Sequence, residues 1–383
     1  MKTFFDLYNS ISRDNSLYNY YDKNLELKDA FANKEQANSF IINYFQNGEK
    51  DICKFEKNNP RLKGMFEADA RNIHTVSVFT LGIAIALKME HRISGDELFI
   101  WFLMCLFHDI GYKLENNTDL VKEYYTLDKF LQKNEIKEEY NIFKVYKKKT
   151  LCKNYYRYRA EDRCRTTEHG VIKEHGVIDH GIAGGILLYK MLVENYNSII
   201  KSSEYNTDTC EYKGLKFSEE NSDDYKKAAI GIIRHNMWYA NNSEACKTYH
   251  EYGLDDLISE PQNKICYTDD RLLFLLCLAD TIEPLKRFRN LGTNEEINEI
   301  LRQICMDIEN INNQKNSKIT ITIQVSDKLE DKVKNELIKN CLSLNSWMNV
   351  KTTQEDNKVK ITFSFQNKSI DDLKLKISER AVR

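Results

Sequence analysis

Residues 98–111 read LFIWFLMCLFHDIG and decide the fold. The first ten residues, 98–107, are all apolar, which predicts a buried helix, because a membrane-spanning helix needs about twenty. The pair His108-Asp109 follows directly, and Gly111 permits a turn behind it. An unpaired polar side chain is costly to bury, so this pair needs a partner. A metal ion is the expected partner.

The same combination of an apolar helical segment with a histidine or aspartate recurs along the chain. These residues are widely separated in sequence, so only a helical fold that gathers them would give a single site. The other members of the series are His74, His180, His235 and Asp280.

One member of the series is ambiguous because of a short internal repeat. Residues 168–172 (EHGVI) are repeated at 174–178 (EHGVI), immediately before His180. We prefer His180 as the ligand, since the glycines that follow it at 181, 184 and 185 let a second helix or a phosphate approach closely. His175 is the alternative.

The donor types indicate the metals. Imidazoles and carboxylates without thiolates suit Fe, Mn, Co, Ni or Zn, and the series holds more side chains than one ion needs. Two ions fit the series if Asp109 bridges them. We therefore expect two divalent transition metals, Fe, Mn, Co or Ni, with Mg as an alternative.

Composition predicts a mainly α protein. The 383 residues are 42% hydrophobic and 30% charged, as in globular proteins, and only three prolines and fourteen glycines interrupt them. A turn-rich β-sandwich is thereby excluded. No signal-peptide pattern occurs near Met1, so we expect a cytoplasmic protein with no membrane association. The net charge of −2 excludes a globally basic nucleic-acid binder.

The chain divides into three parts. We expect an N-terminal helical extension over 1–60 and a helical domain over 61–311, whose last helix covers 295–311. Polar stretches at about 115–168, 201–223 and 240–268 read as insertions outside the core. Residues 318–383 change period and predict a small α+β module of βαββ type, with strands at 318–325, 347–353 and 358–365 and a helix at 327–344.

The first insertion carries a basic segment, residues 141–165. Nine basic residues stand there against two acidic ones, a net charge of +7, with tyrosines between them. Bases can stack on tyrosines while lysines follow phosphates. This segment is therefore a candidate contact for single-stranded nucleic acid.

The ordered series resembles that of the HD-superfamily metal-dependent phosphohydrolases. Their pattern is a histidine, a His-Asp pair and a later aspartate on successive helices, with two additional histidines in the bimetallic branch. The flanking words are similar to those of the bacterial HD-type diadenosine tetraphosphate hydrolases. The similar words are residues 71–76 (RNIHTV), 106–109 (LFHD), 180–185 (HGIAGG) and 279–284 (ADTIEP), with Arg287.

The resemblance implies an HD-domain helical bundle over residues 65 to 290 and a binuclear phosphohydrolase site. His74, His108, Asp109 and Asp280 would bind metal, with His180 and His235 extending the site to a second ion. One departure is Tyr112, where many members carry a lysine that faces phosphate; here Lys113 is next to it.

Hydrolysis at phosphorus also needs charge beside the metals. Two cations lower the pKa of a shared water from about 15.7 to about 7, which yields hydroxide at neutral pH. The developing oxyanion needs positive charge, and the metal ligands need partners that orient them. We expect catalytic roles for Asp109, Lys113, Arg234, Glu283 and Arg287, with Glu283 orienting a ligand or an arginine. The expected substrate contacts are Arg71, Tyr112, Lys113, Arg234 and Arg287.

Three functions follow as hypotheses. The first is hydrolysis of a phosphoester or phosphoanhydride bond in a nucleotide, such as a dinucleoside polyphosphate or a cyclic or linear dinucleotide. The second is an HD-type nuclease that cuts single-stranded DNA or RNA through residues 141–165. The third is a nucleotide-binding sensor that signals through the C-terminal module.

Overall fold

The computed structural model describes residues 1–7, 69–89, 93, 96–115, 118–161, 164–168, 171–212, 215–216, 218–237, 243–258, 263–285, 294–312 and 316–366. Most of the predicted N-terminal extension, from residue 8 to residue 60, lies outside the described residues, as does the end of the predicted module after residue 366.

The described part of the chain is mainly helical, as composition predicts. Within the described residues, the helices are separated by short turns, four 3-10 turns and small hairpins. The helices are α1 (Asp69–Lys88), α2 (Asp96–Phe107), α3 (Tyr112–Glu115), α4 (Thr118–Glu123), α5 (Leu127–Lys133), α6 (Lys149–Glu161), α7 (His180–Ile200), α8 (Glu220–His235), α9 (Ser243–Glu251), α10 (Arg271–Ile282), α11 (Asn294–Arg302) and α12 (Asp331–Ser343).

Helix α2 lies at the centre of the helical body. It packs against α1, α8 and α10, and its side chains from Leu98 to Phe107 are buried. Burying a large apolar side chain stabilises a fold by roughly 1.5–3 kcal/mol, so this run is a main source of stability. The prediction of a buried helix over 98–107 is confirmed.

Helices α7 and α8 pack closely along a glycine face. A Cβ placed on Gly185 would lie 2.6 Å from the carbonyl oxygen of Ala229 on α8. A Cβ on Gly181 would lie 2.9 Å from the carbonyl oxygen of Ile232. Both contacts are with backbone, which cannot rotate aside. These glycines therefore let the start of α7 approach the end of α8.

The expectation that residues 115–168 lie outside the core is wrong. Leu127, Phe130, Ile142, Tyr155 and Tyr156 are buried in the same core as α2 and α7. Their burial is tolerable because each tyrosine hydroxyl has a partner. The hydroxyl of Tyr155 donates to the carbonyl of Asn236 at 2.9 Å, and that of Tyr156 donates to the carbonyl of Tyr124 at 2.9 Å. Lysine-rich composition concealed this apolar face.

The other two predicted insertions form small elements. The 201–223 stretch contains the antiparallel strands β4 (Tyr205–Asn206), β5 (Glu211–Tyr212) and β6 (Leu215–Lys216). The 240–268 stretch contains α9. Between α6 and α7 lies a hairpin of β2 (Cys164–Glu168) and β3 (Val171–His175), which the internal repeat forms in part.

The C-terminal part contains a five-stranded antiparallel sheet in the order β1-β7-β8-β10-β9. The strands predicted at 318–325 and 358–365 and the predicted helix are present, whereas the strand predicted at 347–353 begins only at Lys351 and ends at Glu355. The predicted helix over 295–311, however, is wrong beyond Arg302, where strand β7 begins. The strands are β1 (Lys2–Thr3), β7 (Ile304–Asn312), β8 (Asn316–Val325), β9 (Lys351–Glu355) and β10 (Lys358–Gln366).

Strand β7 makes the module ββαββ rather than βαββ. Ile304, Met306 and Ile308 alternate along it and face Val325, Ile323 and Ile321 of β8. The alternation begins at Ile304, almost directly after α11 ends at Arg302, so the predicted change from helix to strand came too late in the sequence. The N-terminal residues Lys2 and Thr3 also join this sheet, by pairing with β7.

The sheet packs its apolar face on the helical body. Phe363 of β10 lies 4.8 Å from Phe274 of α10 between ring centroids, and Phe365 lies 4.5 Å from Tyr267. A parallel bridge between Ile265 and Met348 adds a backbone link.

Among the described residues, no helix combines the length and the apolar character that crossing a bilayer requires.

The glycine face of α7 generates a prediction. Gly185→Ala should lower the free energy of unfolding by about 1–3 kcal/mol, because the added methyl overlaps a backbone carbonyl. Gly231→Ala on α8 is the matched control, since its Cβ would meet only the flexible end of Met104 and alanine favours a helix by about 1 kcal/mol. Urea unfolding measures both. Equal losses in the two variants would contradict this packing.

Candidate metal centre

Four histidines from four separate helices form an arc. Neighbouring ring centroids lie 5.2 Å apart for His74 and His108, 5.3 Å for His108 and His235, and 5.3 Å for His235 and His180. His74 lies within α1, whereas His108 follows the last residue of α2. His235 ends α8 and His180 begins α7. The fold thus brings together residues up to 161 positions apart in sequence.

In every imidazole of the arc, Nδ1 faces an oxygen acceptor. His108 donates to the carbonyl of Cys105 at 2.7 Å, and His235 donates to the carbonyl of Ile232 at 2.6 Å. Both acceptors lie three residues earlier, in the last turn of a helix, where carbonyls lack intrahelical partners. Nδ1 of His74 lies 2.6 Å from Glu283 Oε2, and Nδ1 of His180 lies 2.5 Å from Glu115 Oε2.

These contacts assign the coordinating atom. A carbonyl or carboxylate oxygen accepts a proton from Nδ1, which leaves Nε2 as the atom with a lone pair in the neutral ring. The Nε2 atoms of His74 and His108 lie only 3.3 Å apart. Because such electron-rich atoms repel each other unless a proton or cation lies between them, the donor set fits a metal.

Asp109 lies between the two ends of the arc. Its Oδ2 is 3.7 Å from Nε2 of His74, and its Oδ1 is 3.6 Å from Nε2 of His108 and 3.6 Å from Nε2 of His180. Two groups have ligand atoms within 4.8 Å of one another, and Asp109 belongs to both. The groups are His74, His108 and Asp109, and Asp109, His180 and His235. These buried groups could hold a metal ion.

Asp280 completes the first group from α10. Its Oδ1 lies 3.1 Å from Nε2 of His74 and 3.6 Å from Nε2 of His108. The side chain of Asp280 is 23% exposed and that of Asp109 is 11% exposed, whereas His74 and His108 are buried. The cluster therefore opens to solvent on its carboxylate side, as a centre that admits a further ligand must.

Charges within the cluster shift the pKa values in opposite directions. Burial alone would lower the pKa of His74, but hydrogen bonds to Asp280 and Glu283 outweigh it and raise the pKa to about 9. Burial and the electrostatic influence of the neighbouring imidazoles, His180 and His108, lower the pKa of His235 to about 3. Without metal, His74 thus holds a proton at neutral pH while His235 keeps a free lone pair.

Glu283 orients His74 and is itself held by neutral donors. Its Oε1 accepts from the hydroxyl of Ser77 and from the backbone amide of Leu285, each at 2.7 Å. The carboxylate is fully buried. Burial would raise its pKa, but the hydrogen bond and charge of His74 lower it. Glu283 therefore lies where the sequence interpretation expected a residue that orients a ligand.

Glu115 and Arg159 form a corresponding support for His180 that sequence reasoning missed. Arg159 Nη2 donates to Glu115 Oε1 at 2.8 Å, while the other oxygen of Glu115 faces His180. Burial would raise the pKa of Glu115, but the charges of His180 and Arg159 lower it. The one available signal for Glu115 was its place one helical turn after Gly111. No local signal distinguishes Arg159 from Arg157.

Asp179 and Asn236 were also missed. Asp179 caps α7 by accepting from the amide of Ile182 at 2.8 Å, and it accepts from Asn236 Nδ2 at 2.7 Å. An aspartate two residues before a glycine, at the start of an apolar segment, is a helix-capping signal. Its second role, linking the start of α7 to the end of α8, depends on the tertiary fold.

The other predicted residues divide into three sets. Tyr112 lies beside the cluster, with its ring centroid 5.2 Å from that of His180. Arg234 is not in the cluster, because its Nη1 donates to Asp270 Oδ2 at 3.0 Å. Asp270 is the residue just before α10, and Asp280 lies about 15 Å further along that helix. The remaining side chains lie outside those the structure describes: Arg71, Lys113, His175 and Arg287.

The basic segment 141–165 is less available than its sequence suggests. Tyr155 and Tyr156 are buried. Five of its described cations also lie within ion-pair distance of an acidic side chain, which reduces the charge presented to a polyanion. The pairs are Lys144–Glu138, Lys149–Asp128, Lys153–Asp128, Arg157–Glu161 and Arg159–Glu115.

Comparison with known proteins gives no relative. No protein-family model matches the chain, no curated protein is significantly similar to it, and no solved structure matches it. The chemistry of the centre therefore rests on its own residues.

The raised pKa of His74 generates a prediction for metal-free protein. Its folded-state pKa is about 9, against an ordinary value of 6.5. The protonated ring therefore stabilises the fold fully below pH 6.5, and this stabilisation is lost as the pH rises through 9. We expect the urea midpoint of EDTA-treated protein to fall over this range, and to fall less in Glu283→Gln. A Glu283→Gln variant with the wild-type pH dependence would disprove this assignment.

Proposed function

We propose that the protein is a metal-dependent phosphohydrolase of the HD type, which cleaves a phosphoester or phosphoanhydride bond of a nucleotide. The observation that carries the proposal is the convergence of ligand atoms from four histidines around Asp109, which belongs to both ligand groups. Buried core histidines need one hydrogen-bond partner each and have no reason to turn their second nitrogens toward one point.

Two ions would share this centre. One would be held by His74, His108, Asp109 and Asp280, and the other by Asp109, His180 and His235. Bound divalent cations supply positive charge to a phosphoryl oxygen and lower the pKa of water toward about 7. Fe, Mn, Co or Ni suit these nitrogen and oxygen donors, with Mg as an alternative.

The chain's own residues prepare the centre. Glu283, Glu115 and the carbonyls of Cys105 and Ile232 hold the Nδ1 protons, so each Nε2 is directed inward. Such outer partners fix the tautomer and the orientation of the ring. The partly exposed carboxylate of Asp280 marks the side from which a phosphate would reach the ions.

A small nucleotide is the proposed substrate, with a dinucleoside polyphosphate or a cyclic or linear dinucleotide as the leading class. The similarity of the motif words to the HD-type diadenosine tetraphosphate hydrolases supports this class. Tyr112, partly exposed beside His180, offers a ring to a base or a hydroxyl to a phosphate. Arg71, Lys113 and Arg287 adjoin the ligands in sequence and remain the expected cationic contacts.

A single-stranded nuclease is the alternative. It would depend on residues 141–165, where two tyrosines are buried and five cations have acidic partners. Replacing Lys147, Lys148, Lys149 and Arg157 by glutamine should leave hydrolysis of a small nucleotide within about 2-fold of wild type, since exposed charges contribute little at a distance. Loss of oligonucleotide cleavage in that variant would instead favour the nuclease.

The direct test is turnover with defined metals. Purified protein loaded with Mn²⁺ or Fe²⁺ should hydrolyse at least one member of a panel of dinucleotides and dinucleoside polyphosphates, with products identified by mass. Asp109→Ala should lower the rate at least about 100-fold, because it removes a ligand common to both groups. Asp208→Ala, at an exposed position, is the matched control.

Three results would count against the proposal. No turnover of any phosphoester would exclude the hydrolase. Cleavage of oligonucleotides alone would favour the nuclease. If Asp109→Ala left nucleotide binding and its biological output unchanged, the protein would act as a nucleotide sensor.

A further inference from the structure

The two carboxylates that support the arc have different partners. Glu283, behind His74, accepts from the neutral donors Ser77 and Leu285. Glu115, behind His180, accepts from the guanidinium of Arg159. A charge-assisted hydrogen bond is roughly twice as strong as a neutral one. The two proposed metal positions therefore differ: a cation holds the carboxylate behind His180, whereas neutral donors hold the carboxylate behind His74.

Arg159 lies near two carboxylates, Glu115 and Asp179, that hold His180 in place. One of its nitrogens bonds Glu115, which holds Nδ1 of His180. Its Nε is buried, has no hydrogen-bond partner among the described residues, and lies 3.9 Å from Oδ2 of Asp179. Asp179 is fully buried and caps the helix that begins with His180. One cation thus lies between the two carboxylates that fix the ring and the backbone of His180.

The support comes from the segment that looked like an insertion. Arg159 lies on α6, and the buried rings of Tyr155 and Tyr156 anchor that helix in the core. The amide of Val177 donates to the carbonyl of Arg159 at 3.0 Å, which ties the residues between β3 and α7 to the end of α6. The side chain and the backbone of Arg159 therefore both help to fix the position of the residues around His180.

We infer that Arg159 is a positioning residue for the metal position formed by Asp109, His180 and His235, and that it acts through Glu115. The position formed by His74, His108, Asp109 and Asp280 has its own support in Glu283 and does not depend on Arg159. The inference rests on the proposed function only in treating the cluster as a metal centre. Metal binding at the position formed by Asp109, His180 and His235 then depends on α6, which carries Arg159.

The test measures metal binding without substrate. Metal-free protein is titrated with Co²⁺, and calorimetry and the visible absorption of bound Co²⁺ report each equivalent. Wild type should bind two equivalents. We call the equivalent at Asp109, His180 and His235 the second equivalent, whichever position fills first. In Arg159→Met and in Glu115→Gln, this second equivalent should weaken about 10–100-fold while the other, the first, is unchanged. The double variant should be no weaker than Glu115→Gln alone, because the two residues act in series.

Three further variants make the test specific. Arg157→Met, on the same helix, removes an exposed guanidinium paired with Glu161 and should bind both equivalents as wild type does. Arg159→Lys should restore part of the second equivalent, because lysine can still donate to Glu115. Glu283→Gln should weaken the first equivalent and spare the second.

The outcomes separate this inference from the proposed function. Wild-type binding of only one equivalent, an unchanged second equivalent in Arg159→Met, or equal weakening of both equivalents with a lowered unfolding midpoint would overturn the inference. Two bound equivalents without hydrolysis of any nucleotide would contradict the proposed function alone.

Discussion

The interaction on which the centre depends is the hydrogen bond at Nδ1 of each histidine. In all four rings an oxygen accepts this hydrogen bond, so Nε2 is left as the nitrogen that can bind a cation. Two of these oxygens are carbonyls from the last turn of the histidine's own helix. The other two are carboxylates from elsewhere in the chain. Local helix ends thus orient two ligands, while tertiary contacts orient the other two.

The helical body makes this convergence geometrically possible. Helix α2 is apolar and buried from Leu98 to Phe107, and it places the His-Asp pair at its end beside the core. The glycines of α7 allow His180 to approach His235 through close contact with α8. Burying so many polar groups in one place is unfavourable unless protons or cations lie between them. A metal centre gives that arrangement a physical reason.

Sequence reasoning succeeded where the signal was local. The continuous apolar run predicted α2, and alternating residues predicted the strands at 318–325 and 358–365. The series from His74 to Asp280 lies together in space, as the motif pattern implied. Each residue of that series is marked by an apolar helix around it, so a short window of sequence carries the information.

Where the signal was not local, the sequence misled or was silent. Arg159 resembles its neighbours in a basic segment, and only the fold brings it to Glu115, 44 residues away. Arg234 adjoins His235 in sequence, yet its side chain leaves the cluster for Asp270 because successive residues of a helix point in different directions. Strand β7 follows a helix without a break, so its alternation was read as a continuation.

The central claim is that two metal ions share Asp109. Diffraction from crystals grown with Mn²⁺, recorded at the manganese absorption edge, tests it most directly. The account predicts two anomalous peaks on either side of the Asp109 carboxylate, one coordinated by His74 and His108 and the other by His180 and His235. No peak within this cluster, or one peak that Asp109 does not contact, would contradict it.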